Sequence, residues 1–196
     1  MKRQTIYLIA IIGILLIAVL WSVTKYNGLV KKDENCTKQW SIVESQYQRR
    51  LDLIPNLVNT VKGYAKHEEQ TFVEVINARN QALKVKIDPN NLTQTSLNEL
   101  QSTQDNLTSA LQKFNVVVER YPDLKANQNF LELQSQLEGT ENRIAVERQR
   151  FSEVVNEYNA SIRRFPTNII ANLFGFERKA YFEATKGAEN APKVEF

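Results

Sequence analysis

The chain has 196 residues, 24% of them charged and 42% hydrophobic, with a formal net charge of +3. That is room for one domain with a real core, and the few Gly (6) and Pro (5) favour a small number of long elements over many turns. The positive charge is spread along the chain without the basic block that tracks a nucleic-acid backbone, so nucleic acid is not an expected partner.

Residues Ile6 to Val23 read IYLIAIIGILLIAVLWSV, with no charge. At about 1.5 Å per helical residue they cover roughly 27 Å, close to the ~30 Å hydrocarbon core of a bilayer. Tyr7 and Trp21 lie near the two ends, where aromatic rings favour the interface. The competing reading is a cleaved signal peptide. The apolar run is longer than a usual signal core, however, and no Ala-x-Ala site follows it. The expectation is an uncleaved, single-pass anchor over 6–23 in a bacterial cytoplasmic membrane. The flanking charges leave the side open. Lys2 and Arg3 before the run have the form of an inner-side start and lean toward an extracytoplasmic domain, whereas Lys25, Lys31, Lys32 and Lys38 after it pull the other way. Cys36 is the only cysteine, which excludes an intrachain disulfide. Glu34 and Asn35 precede it where a lipoprotein signal would carry small apolar residues, so it reads as an incidental thiol.

From Trp40 onward, positions alternately three and four apart are mostly apolar: Trp40, Val43, Tyr47, Ile54, Leu57, Val61, Tyr64, Val75, Ala78, Ala82 and Val85. This 3.5-residue period is that of helices packed at a shallow angle, as in a coiled coil. A second stripe, Leu51, Val58, Ala65 and Phe72, widens the face enough for two neighbours. Pro55 lacks an amide hydrogen and should kink the helix, but the phase passes it unshifted, which predicts a kinked continuous helix to Val85. Lys86 to Asn91 (KIDPNN) marks a turn, with Asn91 as a cap for the next helix. A second run from Leu97 to Tyr121 ends before Pro122, and a third from Phe130 to Phe165 ends at Pro166, a residue that can start a short last helix; Ile169 to Phe182 are rich in apolar and aromatic side chains. The predicted fold class is all-α: an antiparallel up-and-down bundle of three to four long helices over 24–184 after a transmembrane helix, with a flexible tail over 185–196.

Several segments, taken in order, carry a resemblance. Tyr26-Asn27-Gly28-Leu29-Val30 is followed by Trp40, then by Arg49-Arg50-Leu51-Asp52-Leu53-Ile54-Pro55-Asn56-Leu57-Val58 and Val61-Lys62-Gly63-Tyr64-Ala65-Lys66-His67-Glu68. Glu119-Arg120-Tyr121-Pro122-Asp123-Leu124-Lys125-Ala126, Thr140-Glu141-Asn142-Arg143-Ile144-Ala145, Tyr158-Asn159, Phe165-Pro166 and Gly175-Phe176 come after them. This ordered set resembles the LemA family of bacterial membrane-anchored helical proteins across roughly residues 24 to 184. The chain departs from the family pattern at Phe151-Ser152, where Tyr-Asn is usual. The resemblance implies a four-helix-type domain on one membrane span and implies no reaction.

The chemistry-bearing residues point the same way. His67 is the only histidine, which rules out a His-Glu-x-x-His zinc motif and paired Glu-x-x-His motifs, so no metal or cofactor is expected. There is no Gly-rich phosphate loop and no Cys–His pairing, and catalysis is not expected. Arg50, Glu68 and Arg79 fall on or beside the apolar face of the first helix, and Glu141, Arg143 and Glu147 do so on the third. They form either a pocket for an anionic group or an ion-pair network that fixes helix register; the second is the expected reading. A continuous helix from Tyr26 to Val85 would extend about 90 Å, whereas the run after Asn91 returns only about 45 Å. Trp40, Val43 and Tyr47 would then form an uncovered seam for a second copy or another membrane protein. The leading function is a structural or interaction module at the cell envelope. The alternatives are a lipid-surface binder using the C-terminal aromatic segment and, last, a membrane-associated enzyme.

Overall fold

A computed structural model describes residues 3–65 and 67–182, and the predicted tail over 185–196 lies outside them. The described residues are all-α, as the periodicities predict. Helix α1 spans Arg3–Lys62, 60 residues without interruption. Helices α2 (Glu69–Lys84), α3 (Gln94–Val118), α4 (Pro122–Lys125), α5 (Gln128–Arg163) and α6 (Thr167–Leu173) come after it. The first part of α1 stands apart from the rest: Tyr7, Leu8, Ile11, Ile14, Leu15, Ile17 and Leu20 are all exposed. By length and composition this is a helix able to cross a membrane.

Beyond that stretch, α1, α2, α3 and α5 run alternately up and down. Lys32 meets Glu157, Gln39 meets Glu147 and Arg50 meets Glu141, so α5 runs antiparallel to α1. Glu74 of α2 pairs with Lys113 of α3 at 3.3 Å, while Ala82 and Leu83 near the end of α2 line one opening with Leu100 and Gln104 of α3, so these two helices are antiparallel as well. Local chemistry sets the helix ends. The Thr93 hydroxyl accepts from the Ser96 amide and Ser96 Oγ accepts from the Thr93 amide, a reciprocal cap that opens α3. Thr93, not Asn91, is therefore the cap. Asn127 caps α5 by accepting from the Phe130 amide.

The expected continuous helix to Val85 is corrected. α1 passes Pro55 but ends at Lys62, and α2, which starts at Glu69, folds back along α1. The turn falls at Gly63, whose low helical propensity weakens the last turn of α1. Tyr64, a predicted seam residue, is 44% exposed, and Ala65 is buried in its place.

The core has two parts. The outer one gathers Ile54, Leu57, Val61, Phe72, Val75, Leu107, Phe114 and Phe130. The inner one, toward the apolar stretch of α1, gathers Leu29, Cys36, Trp40, Val43, Phe151, Val155, Tyr158 and Ile162. The idea that Trp40, Val43 and Tyr47 lack cover within the chain is also corrected, because they are 2%, 0% and 5% exposed. The run after Asn91 does reach them, since Leu97 and Leu100 of α3 share their buried cluster. The 36-residue α5 and the extended segment after α6 complete the cover: Trp40 packs edge-on to Phe151 at 5.3 Å and stacks on Phe182 at 6.2 Å.

Candidate functional site

The six charged residues on or beside the apolar helix faces divide among separate contacts instead of forming one network. At the centre Arg50, only 4% exposed, reaches across three helices. Its Nη2 donates to Glu141 Oε1 at 2.6 Å and to Thr108 Oγ1 at 2.8 Å, and its Nη1 donates to Gln104 Oε1 at 3.3 Å. Burial pulls the Arg50 guanidinium below its ordinary range and the Glu141 carboxylate opposes that pull. Gln104 is buried and Thr108 partly so, hence this polar group sits inside the bundle where each hydrogen bond fixes register.

Arg79 does a different job. Pro55 has no amide hydrogen, so the carbonyl four residues earlier, that of Leu51, loses its helical donor. Arg79 Nε on α2 donates to that carbonyl at 2.7 Å. The contact fills the gap in the ladder of α1 and pins α2 against it, which accounts physically for an unbroken helix through Pro55.

Glu68 holds the far turn, accepting from Arg120 at 2.9 Å and from the Tyr121 hydroxyl at 3.2 Å. Glu147 joins α5 to α1 by accepting from Gln39 at 2.7 Å, and accepts from Arg150 at 2.6 Å. Arg143 points to solvent.

A second polar cluster is one that the sequence reading misses. Lys179, in the extended segment after α6, is 8% exposed and lies 2.9 Å from Asp33 Oδ1, and it donates to the Pro89 carbonyl at 3.2 Å. The Asn159 side-chain amide brackets its backbone, donating to the Lys179 carbonyl at 2.8 Å and accepting from the Lys179 amide at 3.0 Å. Tyr158 donates to the Glu177 carbonyl at 2.9 Å, and the Ala180 amide to the Leu92 carbonyl at 3.1 Å. One strap thus ties α1, α5 and the α2–α3 loop together. The one sequence signal is Tyr158-Asn159 itself: Asn is a poor helix former, and an amide buried near the end of α5 serves an unpaired backbone nearby. A cleft of about 180 Å³ borders the strap, lined by Asp33, Asn91, Tyr158 and Lys179.

Cys36 lies beneath this strap, fully buried, with its Sγ 3.8 Å from the Val154 carbonyl. Burial pushes the thiol up to about 11, with Lys179 opposing. The same burial raises the Tyr158 phenol, helped by Asp33. Both groups stay protonated at neutral pH, so the thiol is a packing group here and no thiolate nucleophile is on offer. Among the described residues no group of three His, Cys, Asp or Glu side chains converges. A smaller opening of about 130 Å³ sits between α1 and the α2–α3 junction, lined by Trp40, Tyr47, Leu51, Leu100 and Gln104. Chemically, these arrangements hold helices in register and strap the C-terminal segment down.

The model of the LemA family matches residues 39–196. Protein LemA of Metamycoplasma hominis is 24% identical over 164 residues, 84% of this chain and 71% of that one. Magnetosome protein MamQ of Magnetospirillum gryphiswaldense is 25% identical over 213 residues, 99% of this chain and 78% of its own. Magnetosome protein MamQ 2 of Paramagnetospirillum magneticum is 26% identical over 187 residues, 87% of this chain and 68% of its own.

Proposed function

Since the chain belongs to the LemA family and carries an N-terminal helix long and apolar enough to cross a membrane, we propose that it is a single-pass interaction module that holds a folded bundle at the bacterial cytoplasmic membrane and acts by binding other proteins. The observation that carries this reading is the continuity of α1, which enters the core without a break after the apolar stretch. From Val23 to Lys62 it extends about 58 Å, so the outer end of the bundle stands well clear of the bilayer surface. Three of the interior polar groups pair within the bundle: Arg50 with Glu141, Lys179 with Asp33, Asn159 with the strap. Near the outer end Tyr64, Val73, Val116 and Leu131 are between 44% and 69% exposed.

Photo-crosslinking amino acids placed at Tyr64, Val73, Val116 and Leu131 in the full chain, in living cells, test this. Discrete protein adducts at one or more of these positions are expected. A folded, membrane-bound protein that gives no protein adduct at any of them would count against an interaction module.

A further inference from the structure

We propose that the end of the bundle nearest the apolar stretch, formed by the α5–α6 turn and α6, docks into the interfacial layer of a bilayer containing anionic lipid, so that the protein holds the membrane at two places. This rests on reading α1 as a transmembrane anchor. The antiparallel register of α1 and α5 places the surface: Lys32 faces Glu157, and Leu29 and Ile162 share one buried cluster. Continuing that register sets Arg163, the last residue of α5, level with about residues 26–28 of α1. Those positions lie about 4.5–7.5 Å beyond Val23, at the outer part of the interfacial layer of roughly 5–7 Å that flanks each side of the hydrocarbon core.

The side chains displayed at that level are wrong for water and right for an interface. Phe165 is 81% exposed and Leu173 73%, with Ile169 and Phe174 more than half exposed. On its other face α6 buries Ile170 and Ala171 in the bundle. A seven-residue helix that is apolar on both faces has an unpartnered side. Tyr26, just past the end of the apolar run, packs on Phe174 at 4.7 Å and Phe176 at 5.7 Å, so this apolar surface is continuous with the anchor itself. Exposed Arg163 and Arg164 directly precede Phe165. Residues 158–176 carry no acid. Basic groups beside aromatic ones at headgroup depth suit anionic lipid.

The test uses the full chain with Cys36→Ala, reconstituted in phosphatidylcholine vesicles with and without phosphatidylglycerol. An environment-sensitive fluorophore is attached in turn through Ile169→Cys, Leu173→Cys, Val116→Cys and Leu15→Cys. Nitroxide lipids quench from within the bilayer and iodide quenches from water. The expected result is severalfold stronger quenching at 169 and 173 than at 116 by a nitroxide near the headgroup. The difference should narrow when phosphatidylglycerol is omitted, and 15 should be quenched by a deep nitroxide. If 169 and 173 respond only to iodide, as 116 does, while 15 is quenched from the lipid, the docking is wrong and the anchor stands. If 15 is not quenched from the lipid, the anchor is wrong and the docking falls with it. Shielding of 169 and 173 from both quenchers would mean that protein, such as a second copy, covers the face, and would overturn the proposal.

Discussion

Phe151→Ala lowers the unfolding free energy of the bundle by about 3–5 kcal/mol, the usual range for emptying a fully buried aromatic site. Phe151 is 0% exposed and stands where three parts of the chain meet. It is edge-on to Trp40 of α1 at 5.3 Å and to Phe182 of the strap at 5.8 Å. Its loss therefore removes its own buried area and two aromatic contacts, each worth roughly 0.5–1.5 kcal/mol beyond that area. The neighbours cannot readily collapse into the space, because Trp40 is held by α1 and Phe182 by a segment pinned at Lys179. Denaturant unfolding of the full chain in mild detergent, followed by circular dichroism, measures the change. Val146→Ala, on the exposed side of the same helix, should stay within about 0.5 kcal/mol. A loss below about 1 kcal/mol for Phe151→Ala would show that the inner core is not packed around this ring.

The second large effect concerns Arg50. Glu141→Leu leaves a buried guanidinium with only Gln104 and Thr108, and should cost about 2 kcal/mol. That is below the range for a fully buried pair because the Glu141 side chain is 44% exposed and partly screened. Arg50→Met leaves Gln104 without its donor inside the bundle and should cost about 1–3 kcal/mol. The double variant removes the charge and its partner together and should recover most of the combined loss, giving a coupling of at least ~1 kcal/mol in the double-mutant cycle. Additive losses would mean that the pair is not coupled. Loss of cellular function with an unchanged melting temperature for Glu141→Leu would instead mark the Arg50 cluster as a binding site.

The legible part of the fold is the part that periodicity encodes. Trp40, Val43, Ile54, Leu57 and Val61 are buried as their spacing predicts, because a continuous helix presents the same face to α5 along its length. The reversal between α1 and α2 is not legible from that spacing. Phe72, Val75, Ala78 and Ala82 of α2 form a helical stripe that stays in phase with α1, and periodicity carries no information on chain direction. Gly63 is the available signal. Part of the cover over Trp40 comes from an extended segment held by Asn159 and Lys179, and such pairings arise from local polar demand, which no hydrophobic pattern records. Arg50 and Glu141 are legible because a charge on a core face must find a partner. Arg79 is legible for the same reason but answers Pro55 instead, a link visible only once α2 lies beside Leu51.

The central claim is that one helix both crosses the membrane and forms the spine of the bundle. Alkaline carbonate extraction of cell membranes tests it, applied to the full chain and to a chain lacking residues 1–24. The full chain should remain in the membrane pellet, because an apolar helix of this length is not stripped by high pH. The truncated chain should enter the supernatant with the helical content of the bundle retained, since interfacial docking by α6 alone is a peripheral attachment. Release of the full chain, or retention of the truncated one, would contradict the claim.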